Sequence, residues 1–198
     1  MKVIGITGGI ASGKSTACQY IRDKGYRVFD ADASSRSLTA RGGKALPLIA
    51  EVFGAHFIHD GELDRRLMSQ EVFSSPEKRK MLEEIIHPLV ISDCKQYMLD
   101  CANEHLCFLD VPLLFESGMD SLCDEVWLVS SPVNERISRL AQRSDMTHDE
   151  AKKRIKSQMP EYKKRALADR IIDSSGTVEH TRTRIDKLIA LALKEVNK

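Results

Sequence analysis

Lys2-Val3-Ile4-Gly5-Ile6-Thr7-Gly8-Gly9-Ile10-Ala11-Ser12-Gly13-Lys14-Ser15-Thr16 is the stretch from which the rest of the chain can be read. Residues 2–7 are a short, nearly continuous apolar run, as in a strand covered on both faces. Gly8-x4-Gly13-Lys14-Ser15 then completes the pattern G-x-x-x-x-G-K-[ST]. Glycines let the backbone curl around phosphate oxygens, so that successive N–H groups point inward. A helix expected from Lys14 to about Lys24, stopping near Gly25, turns its positive end toward the same anion. The phosphate contacts are expected from Gly9, Ala11, Ser12, Gly13, Lys14, Ser15 and Thr16. Lys14 would bridge the β- and γ-phosphates, Ser15 would ligate magnesium, and Thr16 would reach the α-phosphate. A chance match in a glycine-rich turn would lack the flanking strand and helix. Binding of a nucleoside triphosphate is the inference that this stretch supports by itself.

Composition narrows the class. The 198 residues are 42% hydrophobic and 30% charged, which fits one compact soluble domain with small insertions. A net charge of +1 gives no global electrostatic case for nucleic acid or a membrane surface. No apolar run approaches the roughly 20 residues that span a bilayer, and the first residues do not read as a secretory signal; a cytoplasmic location is expected. The five cysteines are odd in number and lack zinc-knuckle spacing, and Cys94 and Cys101 read as core-facing.

Strand signals at Lys2–Thr7, Arg27–Phe29, Leu106–Asp110, Val126–Ser130 and Arg170–Ile172 alternate with helical stretches, the pattern of an α/β fold with a parallel sheet. About 75 residues between the second and third of these hold no good strand and read as a helical insertion. Ser75-Pro76-Glu77 starts a helix, and His87-Pro88 marks a break or kink. Thr147-x-x-Glu150 has capping-box spacing and should open a helix to about Met159; Val178–Val196 reads as a closing helix.

Several protein classes share the loop. No Asn-Lys-x-Asp guanine-reading motif and no Leu-Ser-Gly-Gly-Gln signature occurs, which leaves a small-molecule kinase or a non-catalytic nucleotide-binding protein. The second strand ends Asp30-Ala31-Asp32; if strand geometry persisted, both carboxylates would share one side at the ligand end of the sheet. Asp32 is a candidate to orient or deprotonate an acceptor hydroxyl, or merely to cap a helix over Ala33–Ala40. Asp110 closes an apolar strand and is a candidate for holding magnesium through water. Arg136, Arg139 and Arg143 share one helical face, and Arg139 and Arg143 suit a transferring phosphate. The lysines at 152, 153, 156, 163 and 164 read as a solvated surface, with Glu150–Arg154 and Asp149–Lys153 as ordinary pairs.

Taken with Asp60-Gly61-x-Leu63-x-Arg65, His87-Pro88-Leu89, Asp110-Val111-Pro112-Leu113-Leu114-Phe115-Glu116 and Ala168-Asp169-x-Ile171-Ile172, these motifs resemble the dephospho-CoA kinase family over nearly the whole chain. The resemblance implies phosphorylation of the ribose 3′-hydroxyl of dephospho-CoA by ATP with Mg2+. It implies a P-loop kinase fold: a five-stranded parallel sheet with helices on both faces, a helical insertion and a lid. The core would comprise residues 1–32, 105–135 and 160–198, the CoA-substrate-binding insertion 33–104, and the lid 136–159. By the same resemblance Asp32 is the base, Lys14 the phosphate bridge, Arg139 and Arg143 the lid arginines, and Arg65 and His87 substrate-domain residues. ATP and dephospho-CoA are the implied partners, with no nucleic acid and no membrane; the oligomeric state stays open. Another nucleoside or nucleotide kinase is the rival reading. Two positions depart from the family: Ala11 replaces a glycine, tolerable if its φ is negative, and Ser174-Ser175 precedes Gly176 where an Asn is usual.

Overall fold

The computed structural model describes residues 1–197. A five-stranded parallel sheet has the order β2-β5-β1-β6-β7, formed by β1 (Lys2–Thr7), β2 (Val28–Asp30), β5 (Leu106–Asp110), β6 (Glu125–Ser130) and β7 (Arg170–Asp173). β1 pairs in parallel with β5 through Ile6↔Asp110 and with β6 through Thr7↔Leu128. Every residue of β5 and of β6 is buried. Because successive side chains in a strand point to opposite faces, this burial means that both faces are covered.

One face is closed by α1 (Lys14–Asp23) and α9 (Val178–Val196). Ile4, Ile6, Phe108, Trp127 and Val129 meet Ala17, Cys18 and Ile21 of α1 and Ile185, Ile189 and Ala192 of α9. Phe108 stacks edge-on with Tyr26 and Trp127 at centroid separations of 5.5 and 5.6 Å. Burying each large apolar side chain of this kind contributes about 1.5–3 kcal/mol. α8 (Glu161–Leu167) packs against β6. Asp169 pins two strands together: its carboxylate accepts from Val126 N at 2.7 Å, and its own N–H donates to Val126 O at 3.0 Å.

The chain divides into two compact units, residues 1–29 with 100–198, and residues 30–99. The second unit carries α2 (Ala31–Leu38), α3 (Leu46–Phe53), α4 (Arg65–Phe73), most of α5 (Pro76–Asp100), and a hairpin of β3 (Ile58–His59) with β4 (Glu62–Leu63). This hairpin departs from the expectation of no strand in the insertion, and its signal is Asp60-Gly61: both residues have positive φ, 50° and 78°, as a two-residue hairpin turn of this chemistry requires. α5 runs through Pro88 without the break that was one of the two outcomes expected there. Proline forfeits one helical hydrogen bond, but the flanking turns, buried at Val90 and Cys94, continue the helix.

In the first unit α6 (Val133–Ser144) leads to α7 (His148–Lys156), which ends three residues short of Met159. The Thr147–Glu150 capping box is present on both sides, and it occupies the Glu150 carboxylate. Among the described residues neither Glu150–Arg154 nor Asp149–Lys153 forms an ion pair. Cys94 and Cys101 are fully buried, burial pushes the Cys94 thiol up to about 11, and among the described residues no cysteine forms a disulfide. Among the described residues no helix is long and apolar enough to cross a membrane.

Candidate active site

The loop after β1 behaves as its sequence demands at Gly13, the N-cap of α1, which adopts φ 89°. A side chain there would also press on Ser174, whose Oγ lies 3.2 Å from the place a Cβ would take. Gly9 is needed for a reason that sequence did not disclose. A Cβ at Gly9 would fall 2.1 Å from Nη2 of Arg136, so the guanidinium occupies the space that glycine leaves. Ala11 contradicts the expectation of a negative φ: it stands at 61°, in the left-handed region. For an L-residue with a Cβ that conformation costs about 1–2 kcal/mol.

Lys14 reaches from the start of α1 to Asp110 Oδ1, and Arg22 Nη2 lies 4.0 Å from the other carboxylate oxygen. Asp110 is held in place from behind. Val111 N donates to Ile6 O at 3.0 Å, and Pro112 O accepts from Thr7 Oγ1 at 3.0 Å and from Lys164 Nζ at 3.3 Å. Burial, and then the Asp110 carboxylate beside it, push the Cys18 thiol far above its ordinary range, so this cysteine is inert. Ser15 and Thr16 are exposed on the first turn of α1. Ser12 is 1% exposed, and its hydroxyl has no hydrogen-bond partner among the described residues.

The basic stretch separates into unlike parts. Arg139 is half-buried beside the loop: Nη1 lies 3.9 Å from the place of a Gly13 Cβ, and Nη2 donates to Ser174 O at 2.9 Å and pairs with Glu135 at 3.0 Å. Arg143 is exposed and makes no hydrogen bond or ion pair among the described residues. Arg136 is 4% exposed; Nε donates to Ile10 O at 2.9 Å and Nη1 pairs with Glu161 Oε2 at 2.5 Å. Burial pulls its guanidinium below the usual arginine range, and Glu161 opposes that shift. Lys164 is not a solvated charge, as the sequence suggested. It is 1% exposed and bonds Glu116 at 2.8 Å. Buried lysines normally need such a partner.

Ser174, at the departure from the family pattern, donates its hydroxyl to Ser12 O and, at 3.1 Å, to Ser130 O. It therefore braces the phosphate loop from below. Its neighbour Ser175 N donates to Asp173 at 2.9 Å; hydrogen bonds from Ser175 hold the Asp173 carboxyl below the ordinary range. A cleft of about 540 Å³ opens alongside, walled by Pro132, Arg136, Gln158, Glu161, Asp173 and Ser175 among others.

In the second unit Asp30, not Asp32, caps α2: its Oδ1 accepts from Ala33 N at 2.8 Å. The strand stops at Asp30 and the helix begins at Ala31, so the shared-side argument from strand alternation fails for this pair. Asp32 is left exposed on the first turn of α2, with the cap position already taken. Arg65 Nη2 donates to Arg36 O at 3.1 Å and Thr39 Oγ1 at 3.2 Å, at the edge of a cleft of about 260 Å³. His87 is half-buried within α5 and has no polar partner among the described residues.

Lys14, Asp110 and Arg139 thus converge on the loop, while Arg143 does not touch it. Arg136, Gln158 and Ser174 contact the loop; sequence places Arg136 on the arginine face without a role of its own, marks Ser174 only as a departure from the family, and does not mark Gln158. Their types carry no motif, and only burial distinguishes Arg136 from its neighbours.

A chain so built can hold a triphosphate by its β- and γ-phosphates at the end of β1. Its similarities point the same way. The dephospho-CoA kinase family profile matches residues 2–180. The chain is 39% identical over 188 residues to a dephospho-CoA kinase of Carboxydothermus hydrogenoformans, covering 93% of this chain and 91% of the relative. The structure of TT1252 from Thermus thermophilus superposes with a TM-score of 0.79 at 36% identity, covering 96% and 97% of the two chains. A dephospho-CoA kinase structure from Campylobacter jejuni gives 0.73 at 25% identity, covering 98% of both. With the family profile spanning nearly all of both sheet-forming segments and the phosphate loop at their centre, the chain belongs to the dephospho-CoA kinase family.

Proposed function

We propose that this chain transfers the γ-phosphoryl group of ATP to the ribose 3′-hydroxyl of dephospho-CoA, yielding coenzyme A and ADP. The observation that carries the reading is Lys14 at Asp110 beside a phosphate loop, in a chain of this family. The loop amides and Lys14 hold and neutralise the β- and γ-phosphates; Arg139, at the loop edge, supplies a further positive charge as the bond to the leaving ADP breaks. Arg143 is free to join from solvent when a lid over residues 136–159 moves. Asp32 orients the acceptor hydroxyl or takes its proton; phosphoryl transfer needs position more than basicity, so an exposed Asp suffices. Residues 33–104, with Arg65 and His87, form the acceptor-binding part in this reading.

The residues present fit magnesium. Ser15 offers a hydroxyl not engaged by protein, Asp110 ends a buried strand with its carboxylate at the loop, and both are hard oxygen donors. Among the described residues no group of three or more His, Cys, Asp or Glu could hold a metal ion by itself, so phosphate oxygens would have to complete the shell. The ion, when bound, would offset charge on the phosphate oxygens. The working compartment proposed is the cytoplasm.

The test is ADP release with dephospho-CoA, AMP, shikimate and uridine as acceptors. Turnover on dephospho-CoA far above the others is expected; turnover on another acceptor with none on dephospho-CoA overturns the reading. Asp32→Asn should keep ATP affinity and lose about a hundredfold or more in kcat. Unchanged kcat would remove Asp32 from the chemistry.

A further inference from the structure

Ile10 lies at the apex of the phosphate loop, and both its backbone polar groups are taken by side chains from far along the sequence. Its N–H donates to Gln158 Oε1 at 2.8 Å, and its carbonyl accepts from Arg136 Nε at 2.9 Å. Gln158 follows the end of α7, and Arg136 stands in the first turns of α6, so the two grips come from opposite ends of one helical excursion. The Arg136 guanidinium is itself fixed. It is buried, its Nη1 bonds Glu161 at 2.5 Å, and Glu161 in turn accepts from Ser130 Oγ. The next residue after the gripped one is Ala11, at φ 61°. A left-handed alanine persists only where its surroundings over-determine the backbone. Here the surroundings are the turn bond from Ser12 N to Gly9 O at 3.0 Å and the two directed side-chain hydrogen bonds on Ile10.

We propose that Arg136 and Gln158 are positioning residues for the nucleotide: they clamp Ile10 and so keep Ala11 in the left-handed turn that aims the loop amides at phosphate. They act through the loop backbone, without touching the reacting atoms. The inference rests on the reading of this loop as the ATP site. The affinity for ATP then scales with the fraction of molecules whose loop is already in the competent turn. Because Gln158 sits where α7 gives way to α8, the clamp also ties the end of that excursion to the loop. Loosening either grip lowers nucleotide affinity before it affects the acceptor.

The experiment compares wild type, Arg136→Met, Gln158→Ala, Ala11→Gly and the double variant Arg136→Met/Ala11→Gly, all as the full chain. A fluorescent ATP analogue gives the dissociation constant, steady-state assays give KM for ATP and for dephospho-CoA, and melting monitors folding. Arg136→Met should weaken ATP by about tenfold and Gln158→Ala by about threefold, with KM for dephospho-CoA within about twofold of wild type. Ala11→Gly should raise affinity at least about threefold more in the Arg136→Met background than in wild type, because glycine holds the turn without strain. A melting loss with unchanged ATP affinity would show a merely structural arginine and overturn the proposal. So would an Ala11→Gly effect equal in both backgrounds. Should Arg136→Met not fold, half-buried Gln158 carries the test, alone and with Ala11→Gly. The underlying reading fails separately, if wild type binds no ATP.

Discussion

The phosphate loop at 8–15 and the basic stretch at 136–165 are both dense in residues that suit phosphate, but they differ in what gives those residues their roles. The loop works through its backbone. Gly13 at φ 89° and the N-terminus of α1 are consequences of local sequence, and Lys14 follows at a set distance. The basic stretch works through side chains whose roles depend on what packs against them. On the single helix α6, Arg136 is buried against the loop, Arg139 is half-buried at its edge, and Arg143 is exposed. Lys164 lies between two charged neighbours, Lys163 and Arg165, and is the one of the three that is buried, on Glu116. Charge alone therefore says little about role, whereas a backbone motif in its strand–helix context says much.

The sharpest test of the contrast is Lys14→Met. It should lower kcat by on the order of a hundredfold to a thousandfold, as for loss of one transition-state donor, while the melting temperature holds. A large melting loss with modest kinetic loss would mean that the Lys14–Asp110 pair is chiefly structural. Lys164→Met should do the reverse. Glu116 would be left without its buried partner, costing about 3 kcal/mol and lowering Tm by about 6–12 °C. An unchanged Tm would return Lys164 to the class of solvated charges.

Arg143→Ala discriminates more finely. An exposed arginine that meets phosphate only during turnover should lower kcat by about tenfold with no change in Tm. No kinetic effect would remove it from the site and leave Arg139 alone. The smallest effect belongs to the capping box of α7. Bonds from the Thr147 backbone and hydroxyl hold Glu150 below its usual range. A depressed carboxyl pKa adds stability that is present above the unfolded value, 4.5, and is lost as the pH falls through the folded value. Proteolysis within 145–160 should therefore quicken below about pH 4.5 in wild type. In Glu150→Gln that acid dependence should flatten; an equal dependence in both would locate the acid sensitivity elsewhere.

Much of the sheet was legible in sequence because buried parallel strands are short apolar runs: Lys2–Thr7 and Leu106–Asp110 were read with their observed limits. Val178–Val196 and the Thr147 cap were legible for the same local reason, periodicity and capping chemistry. The two-residue strands around Asp60-Gly61 are too short to show alternation. Pro88 does not break α5, because a proline's local penalty of about 3 kcal/mol can be outweighed by the packing of a 25-residue helix. The cap falls on Asp30 rather than Asp32 because α2 starts at Ala31, directly after β2 and two residues ahead of the expected start.

Sequence by itself determined that a phosphate loop follows β1, that Lys14 and Ser15 belong to it, and that the family motifs accompany it. Those features follow from bonds within a few residues of one another. Only the tertiary structure decided that Gly9 leaves room for Arg136, that Ser174 braces Ser12, and that Ala11 is held left-handed beside a doubly gripped Ile10. Each of these joins residues more than 100 positions apart. A guanidinium's partners at that separation are chosen by the packing of helices on a sheet, and no local pattern records them.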